Sequence, residues 1–247
     1  MIKKSYPFTS FPTKKHLAVL IDPDKADQKV LFRLITQIPT DAPVIFLVGG
    51  SLLSKQTLDE TVAYLKEHSS FPVFLFPGGA TQVSPEADGI FLLSLVSGRN
   101  PEFLIGQHVI AAPILAQSEL EIVSTAYLLI DGGNRTSVEY MSNTVPIPRD
   151  KKDIAVATAL AAQMIGMKQI YLEAGSGAKA HVPVEMIREV KQHTQLPLIV
   201  GGGIRTATTA QQLLEAGADM LVVGTAIEQN PAFLEELLSC IAVTPAV

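Results

Sequence analysis

LPLIVGGGIRTATTAQQLLEAGADMLVVGTAIEQNP, from Leu196 to Pro231, decides the fold of this 247-residue chain. Leu198–Val200 is an apolar run, and Gly201, Gly202 and Gly203 follow it directly. A helical pattern then runs to Ala216-Gly217-Ala218-Asp219. Met220–Val223 forms a second apolar run, closed by Gly224-Thr225. Amide groups approach an anion closely only where no side chain intervenes. Two successive strands that end in bare glycine backbone therefore suggest a phosphate cradle. In (β/α)8 barrels such a cradle sits in the loops after strands seven and eight.

Outward from this stretch the alternation continues. Candidate strands are Leu17–Ile21, Val44–Val48, Val73–Phe76, Gly89–Leu93, Val109–Ala111, Tyr127–Ile130, Ile170–Glu173, Leu198–Val200 and Leu221–Val223. That is nine candidates for eight places, so Val109–Ala111 is an extra strand or another assignment is wrong. Helical patterns cover Gln28–Gln37, Lys55–His68, Asp153–Ile165, Val184–His193, Thr208–Glu215 and Ala232–Ile241, with Pro183 and Pro231 at tolerated helix starts. Strands that read as continuous apolar runs belong to a parallel sheet covered on both faces. With a length close to the roughly 250 residues of one such barrel, residues 1–247 read as a single TIM-barrel domain.

One crossover is unusual. PGGATQVSPEADG, residues 77–89, has two prolines and three glycines in its thirteen positions. A parallel crossover needs a dozen residues or more and is usually helical. This one is barely long enough and rich in helix breakers. The third helix is expected to be missing or replaced by an extended strap. That would open the barrel wall to an apolar groove.

Composition narrows the class. The chain is 47% hydrophobic and 17% charged, which suits a large core. No apolar run approaches the ~20 residues of a membrane span. MIKKSYPFTSFPTKK carries lysines but no apolar run, so no signal peptide is expected. A single cysteine, Cys240, fits a reducing cytosol, and a net charge of −5 argues against nucleic acid as a partner. Anionic substrates would then need local neutralisation by amides, a metal or a few cations.

Function in a barrel gathers at the C-terminal strand ends. Strand one ends in Ile21-Asp22-Pro23-Asp24-Lys25. Asp22 suits a Mg²⁺ ion held jointly with substrate phosphate, and it equally suits a plain turn. Strand two ends in Val48-Gly49-Gly50-Ser51, where Ser51 serves the same metal or caps a helix. Strand six ends in Tyr171-Leu172-Glu173-Ala174-Gly175-Ser176-Gly177. Glu173 stands where a base is wanted, and Tyr171 shares its phase along the strand. Arg205 adds charge to the cradle or only faces solvent. The loop from Asp131 to Arg149 is long enough to act as a lid. The five histidines show no zinc spacing, and no nucleophile-elbow motif is present.

HLAVLIDPDK, FLVGGS, YLEAGSGA, VGGGIRT and VVGTAIEQNP together resemble geranylgeranylglyceryl phosphate synthases over nearly the whole chain. Within that family the chain is similar to the branch shared by some archaea and Bacteroidetes-type bacteria. The resemblance implies transfer of an isoprenyl group from its diphosphate to the C3 hydroxyl of sn-glycerol 1-phosphate, with Mg²⁺ assisting pyrophosphate departure. Asp22 and Ser51 match the magnesium positions. Tyr171 through Gly177, with Gly202, Gly203, Gly224 and Thr225, match the glycerol phosphate site. Glu173 matches the acid that orients or deprotonates the hydroxyl. The family lacks the usual third helix. It forms dimers and hexamers, so a cytoplasmic homo-oligomer with transient membrane contact is expected. Leu20 departs from members that carry a cation two residues before the magnesium Asp. Two other readings explain the cradle: a phosphosugar isomerase or lyase, and a non-catalytic phosphate-binding scaffold. The isomerase or lyase reading predicts an acid/base pair or a Schiff-base lysine, and no strand end carries lysine within its apolar run.

Overall fold

Eight apolar runs close into a parallel barrel in a computed structural model that describes residues 14–244. The strands are β1 (His16–Ile21), β2 (Val44–Val48), β3 (Val73–Leu75), β4 (Gly89–Ser94), β5 (Glu121–Leu129), β6 (Gln169–Glu173), β7 (Leu198–Gly201) and β8 (Met220–Val223). They pair in sequence order, and β8 returns to β1. The expectation of a (β/α)8 barrel is borne out. Residues 1–13, which hold most of the N-terminal stretch read as lacking a signal peptide, lie outside the described residues.

Alternation along the strands builds two cores. Leu17, Val19 and Ile21 of β1 face the helices, with Leu172 of β6 in the same layer. Ala18 faces the barrel axis with Leu47, Phe74, Phe91, Tyr127 and Tyr171. The axis is thus filled by aliphatic and aromatic side chains, and its C-terminal mouth is left open to chemistry.

The surrounding helices are α1 (Gln28–Gln37), α2 (Leu58–His68), α3 (Gln107–Leu115), α4 (Ser137–Ser142), α5 (Lys152–Met164), α6 (Val184–His193), α7 (Ala207–Glu215), α8 (Thr225–Gln229) and α9 (Phe233–Val243). The Asp27 carboxylate caps α1 by accepting from the amides of Lys29 and Val30 at 2.9 and 3.1 Å. Val109–Ala111 is no strand; it lies in α3, which a π-helical turn at Glu102–Gly106 precedes. A short apolar run carries no period that separates strand from helix, and here the helix won. Between β3 and β4 no helix forms, and residues 76–88 run as a strap of turns and bends rather than an extended one.

The seam that closes the barrel rests on a buried charge. Asp219 accepts from the Leu198 amide at 2.8 Å and from Lys191 Nζ at 2.6 Å. Its other oxygen lies 3.5 Å from Lys15 Nζ, and the Lys15 side chain is fully buried. Burial pushes the Lys15 pKa down, and Asp219 opposes that shift. Removing Asp219 leaves Lys15 buried without a counter-charge, which costs about 3–5 kcal/mol in comparable pairs. Asp219→Ala should therefore lower the urea midpoint markedly, and Lys15→Met added to it should recover part of the loss.

Candidate active site

Two cavities meet at the C-terminal end of the barrel. The mouth, about 730 Å³, is lined by Asp22, Lys25, Ser51, Tyr171, Glu173, Ser176, Gly177, Gly202, Gly203, Arg205, Gly224, Thr225 and Glu228. The second is a narrow apolar groove under the strap, lined by Phe76–Ala80, Val83, Leu93, Phe103, His108 and Ala111. Gly50, Ser51, Phe76, Tyr127 and Val138 line both.

Glu173 ends β6 with its side chain toward the axis and is 5% exposed. One carboxylate oxygen accepts from the Gly175 amide at 2.5 Å. Burial raises its pKa above the ordinary glutamate value, while Tyr171 and the Gly175 amide pull it back part of the way. A carboxylate shifted in this direction is a better proton acceptor near neutral pH. The Tyr171 hydroxyl forms no well-aligned hydrogen bond to the protein, yet it lies close enough to Glu173 for each to perturb the other. The Tyr171 ring packs edge-on against Tyr127, with centroids 5.2 Å apart, and against Phe76 at 5.5 Å. These three rings stand where the groove enters the mouth.

The glycines of β7 serve packing first. Gly202 has φ +81°, and a Cβ there would lie 2.4 Å from Glu173 Oε1. Gly203 has φ +71°, and a Cβ would meet Ala180 at 2.7 Å. The bare backbone thus lets the β6 and β7 loops interlock around the buried acid. The Ser176 and Thr225 hydroxyls lie 3.3 Å apart across the mouth. The amides of Ser176, Gly177 and Gly203 have no protein acceptor among the described residues. Amides and hydroxyls converging in this way suit an oxyanion such as phosphate.

Three of the residues assigned to the glycerol phosphate loop do not reach the cavity. Leu172 and Ala174 point into the helix-facing core because side chains alternate along β6. Gly175 spends its amide on Glu173. Arg205 lines the mouth and is tied to backbone there. Its guanidinium donates to the carbonyls of Ala178 and Lys179, fixing the β6 loop. Arg149 pins the same loop from the other side through the carbonyls of Asp131 and His181. The long β5 loop, expected as a lid, is held down by this contact and carries α4.

Asp22 lies at the end of β1 against the β2 turn, with its Oδ1 3.9 Å from where a Cβ on Gly50 would stand. Its Oδ2 accepts from Lys25 Nζ at 2.6 Å. Glu228 faces the same cluster, and burial raises its pKa. Among the described residues no three His, Cys, Asp or Glu side chains gather to hold a metal. One carboxylate beside a serine hydroxyl fits a hard cation that draws its remaining oxygens from substrate phosphate and water. Leu20 lines the mouth, and Lys25 supplies positive charge there.

A model of the PcrB family matches residues 10–244. The chain belongs to the PcrB family. Among its relatives, a geranylgeranylglyceryl phosphate synthase from Spirosoma linguale is 49% identical over 229 residues, covering 92% of each chain. One of the same name from Korarchaeum cryptofilum is 43% identical and covers 87% of this chain and 88% of its own. The crystal structure of the Thermoplasma acidophilum synthase with sn-glycerol-1-phosphate superposes with a TM-score of 0.87 at 35% identity, covering 94% and 95% of the two chains. The family resemblance read from the motifs is borne out, as is the reading of the chain as an enzyme of this family.

Tyr127 and Phe76 were not singled out from the sequence. No local pattern marks Tyr127, whose inward phase appears in its pairing across the sheet with Tyr171.

Glu173 also has a testable cost. Its folded-state pKa lies above that of the unfolded chain, so the native state binds the proton more tightly. The stability linked to this group is full at low pH and is lost as pH rises through the folded value. Glu173→Gln should therefore raise Tm relative to the unsubstituted protein at pH 8, with the difference shrinking at pH 4. Calorimetric melts at the two pH values check this.

Proposed function

We propose that the chain is a Mg²⁺-dependent prenyltransferase. It joins the C3 hydroxyl of sn-glycerol 1-phosphate to C1 of geranylgeranyl diphosphate, giving geranylgeranylglyceryl phosphate and pyrophosphate. The observation that carries this reading is the junction of two unlike compartments. An apolar groove opens at Phe76, Tyr127 and Ser51 into a mouth lined by glycine loops, hydroxyls and one buried carboxylate. A phosphosugar isomerase has no use for the groove, and a phosphate-binding scaffold has no use for Glu173.

The phosphate of the acceptor sits against the loops of Ser176–Gly177, Gly202–Gly203 and Gly224–Thr225. That anchorage turns the C3 hydroxyl toward Glu173. The hydroxyl oxygen forms a bond to C1, the bond from C1 to the diphosphate oxygen breaks, and the hydroxyl proton passes to the Glu173 carboxylate. Burial keeps that carboxylate basic enough to take it. Asp22 and Ser51 would hold Mg²⁺, which supplies charge stabilisation to the departing pyrophosphate. The faces of Phe76, Tyr127 and Tyr171 exclude water from C1 and stabilise positive charge developing there. The tail lies in the groove, where each buried CH₂ contributes about 0.8 kcal/mol.

The single cysteine fits action in the cytosol. Among the described residues no helix is long and apolar enough to cross a membrane; transient contact with a lipid surface follows from the apolar donor. Ile154, Met164 and Ile165 are exposed on and just beyond α5, which suits burial between subunits of a homo-oligomer.

Incubation with sn-glycerol 1-phosphate, labelled geranylgeranyl diphosphate and Mg²⁺ should yield an ether-linked phosphate and one pyrophosphate per turnover. Absence of both products would contradict the reading. Asp22→Ala should abolish Mg²⁺-dependent turnover while leaving the melting temperature within a few degrees of the unsubstituted protein.

A further inference from the structure

The strap that replaces the third helix is tied to the mouth by one side chain. Gln82 accepts from the Gly78 amide at 2.9 Å through its carbonyl oxygen. Its amide nitrogen donates to the Gly50 carbonyl at 3.1 Å. One planar amide therefore bridges the strap and the β2 turn that bears Ser51. The two backbones lie as close as glycine permits. A Cβ on Gly78 would stand 2.4 Å from the Gly50 carbonyl oxygen and 2.8 Å from Ser51 Cα. A Cβ on Gly49 would stand 2.0 Å from the Phe76 carbonyl oxygen. The far side of the strap is held by Gln107, whose carbonyl oxygen accepts from the Ala80 amide at 2.8 Å.

The groove beneath the strap offers only about 100 Å³. Binding sites for medium-sized organic ligands run to roughly 300–1,000 Å³, so a long tail must widen this one. The strap, α3 and α4 bound it here, against β4. The strap forms no helix and has only isolated turns at Gly79–Gln82 and Ser84–Ala87, so it is the softest wall. Any displacement of Gly78 and its neighbours is passed through Gln82 to the Gly50 carbonyl and so to Ser51.

We propose that Gln82 is a positioning residue that couples occupancy of the apolar groove to the geometry of the Gly50–Ser51 turn. Gln82 itself lines neither cavity. Binding energy from the remote tail is thereby spent on arranging the diphosphate end of the site, and it appears in kcat as well as in KM. The inference rests on the prenyl transfer proposed above and adds a residue to it.

The test compares donors of different length. Gln82→Met keeps the side-chain volume and removes both hydrogen bonds. Gln82→Glu keeps the acceptor for Gly78 and removes the donor to Gly50. For the unsubstituted enzyme, kcat with saturating sn-glycerol 1-phosphate should rise from geranyl through farnesyl to geranylgeranyl diphosphate. In both variants the ratio of kcat for the longest donor to that for the shortest should fall about tenfold. The KM for sn-glycerol 1-phosphate should stay within twofold. Calorimetric titration with a non-reactive geranylgeranyl diphosphate analogue should give a Kd within about threefold of the unsubstituted enzyme, because the groove itself is intact. Equal loss of kcat with all donors, or no loss, would overturn the proposal. So would a kcat that does not depend on tail length in the unsubstituted enzyme. If Gln82→Met fails to fold, Gln82→Glu alone decides the matter. Failure of the unsubstituted enzyme to turn over any prenyl donor would instead remove the reading on which the proposal rests.

Discussion

A parallel barrel must carry the chain back across its wall after every strand, and after β3 this chain does so without a helix. Thirteen residues with two prolines and two glycines leave no room for one. The wall is therefore thinner there, and the space a helix would fill becomes the apolar groove. Phe76 ends up at the groove's inner end, and Ser51 faces it across an interlocked backbone. The apolar groove and the hydroxyl-lined mouth thus share a boundary because of a deficit in one crossover.

The second constraint is the buried acid. Glu173 sits at the end of an inward-facing run on β6, held by the Gly175 amide and bordered by aromatic rings. Only glycine at 202 leaves room for its carboxylate. The triple glycine and the acid are therefore one device. The loops of β6 and β7 close around Glu173, and Arg205 and Arg149 lock the β6 loop in place through its carbonyls. Positive charge in this part of the mouth is spent on holding backbone. The converging amides and hydroxyls, with Lys25 beside Asp22, are left to meet the anions.

Much of this was legible in the sequence, for identifiable reasons. Continuous apolar runs give β1, β2, β7 and β8 directly, and the helices Gln28–Gln37 and Val184–His193 fall where their apolar period places them. The strand ends of a barrel are a fixed address, and Asp22, Ser51, Glu173 and Thr225, assigned by that address, all line the mouth. The failures also have physical causes. VIAAPIL around Val109 has no period, so its helix was read as strand. Consecutive residues at a strand end point to opposite faces, so Leu172 was placed in the mouth when its side chain lies in the outer core. The role of Arg205 depends on carbonyls that the fold brings within reach from the neighbouring loop, and no local pattern announces that. Tyr127 was hidden for a similar reason: β5 begins at Glu121, well before the run that marked it, and its inward phase shows only in pairing with β6.

The central claim is that one site joins two compartments at Phe76, Tyr127 and Ser51. The measurement that tests it most directly is a crystal structure with sn-glycerol 1-phosphate and a non-hydrolysable geranylgeranyl diphosphate analogue bound together. The account predicts the glycerol phosphate against the Gly203 and Thr225 loops with its C3 hydroxyl toward Glu173. It predicts the tail running past Phe76 beneath the strap. A tail lying outside the barrel wall, or a phosphate seated away from those loops, would contradict it.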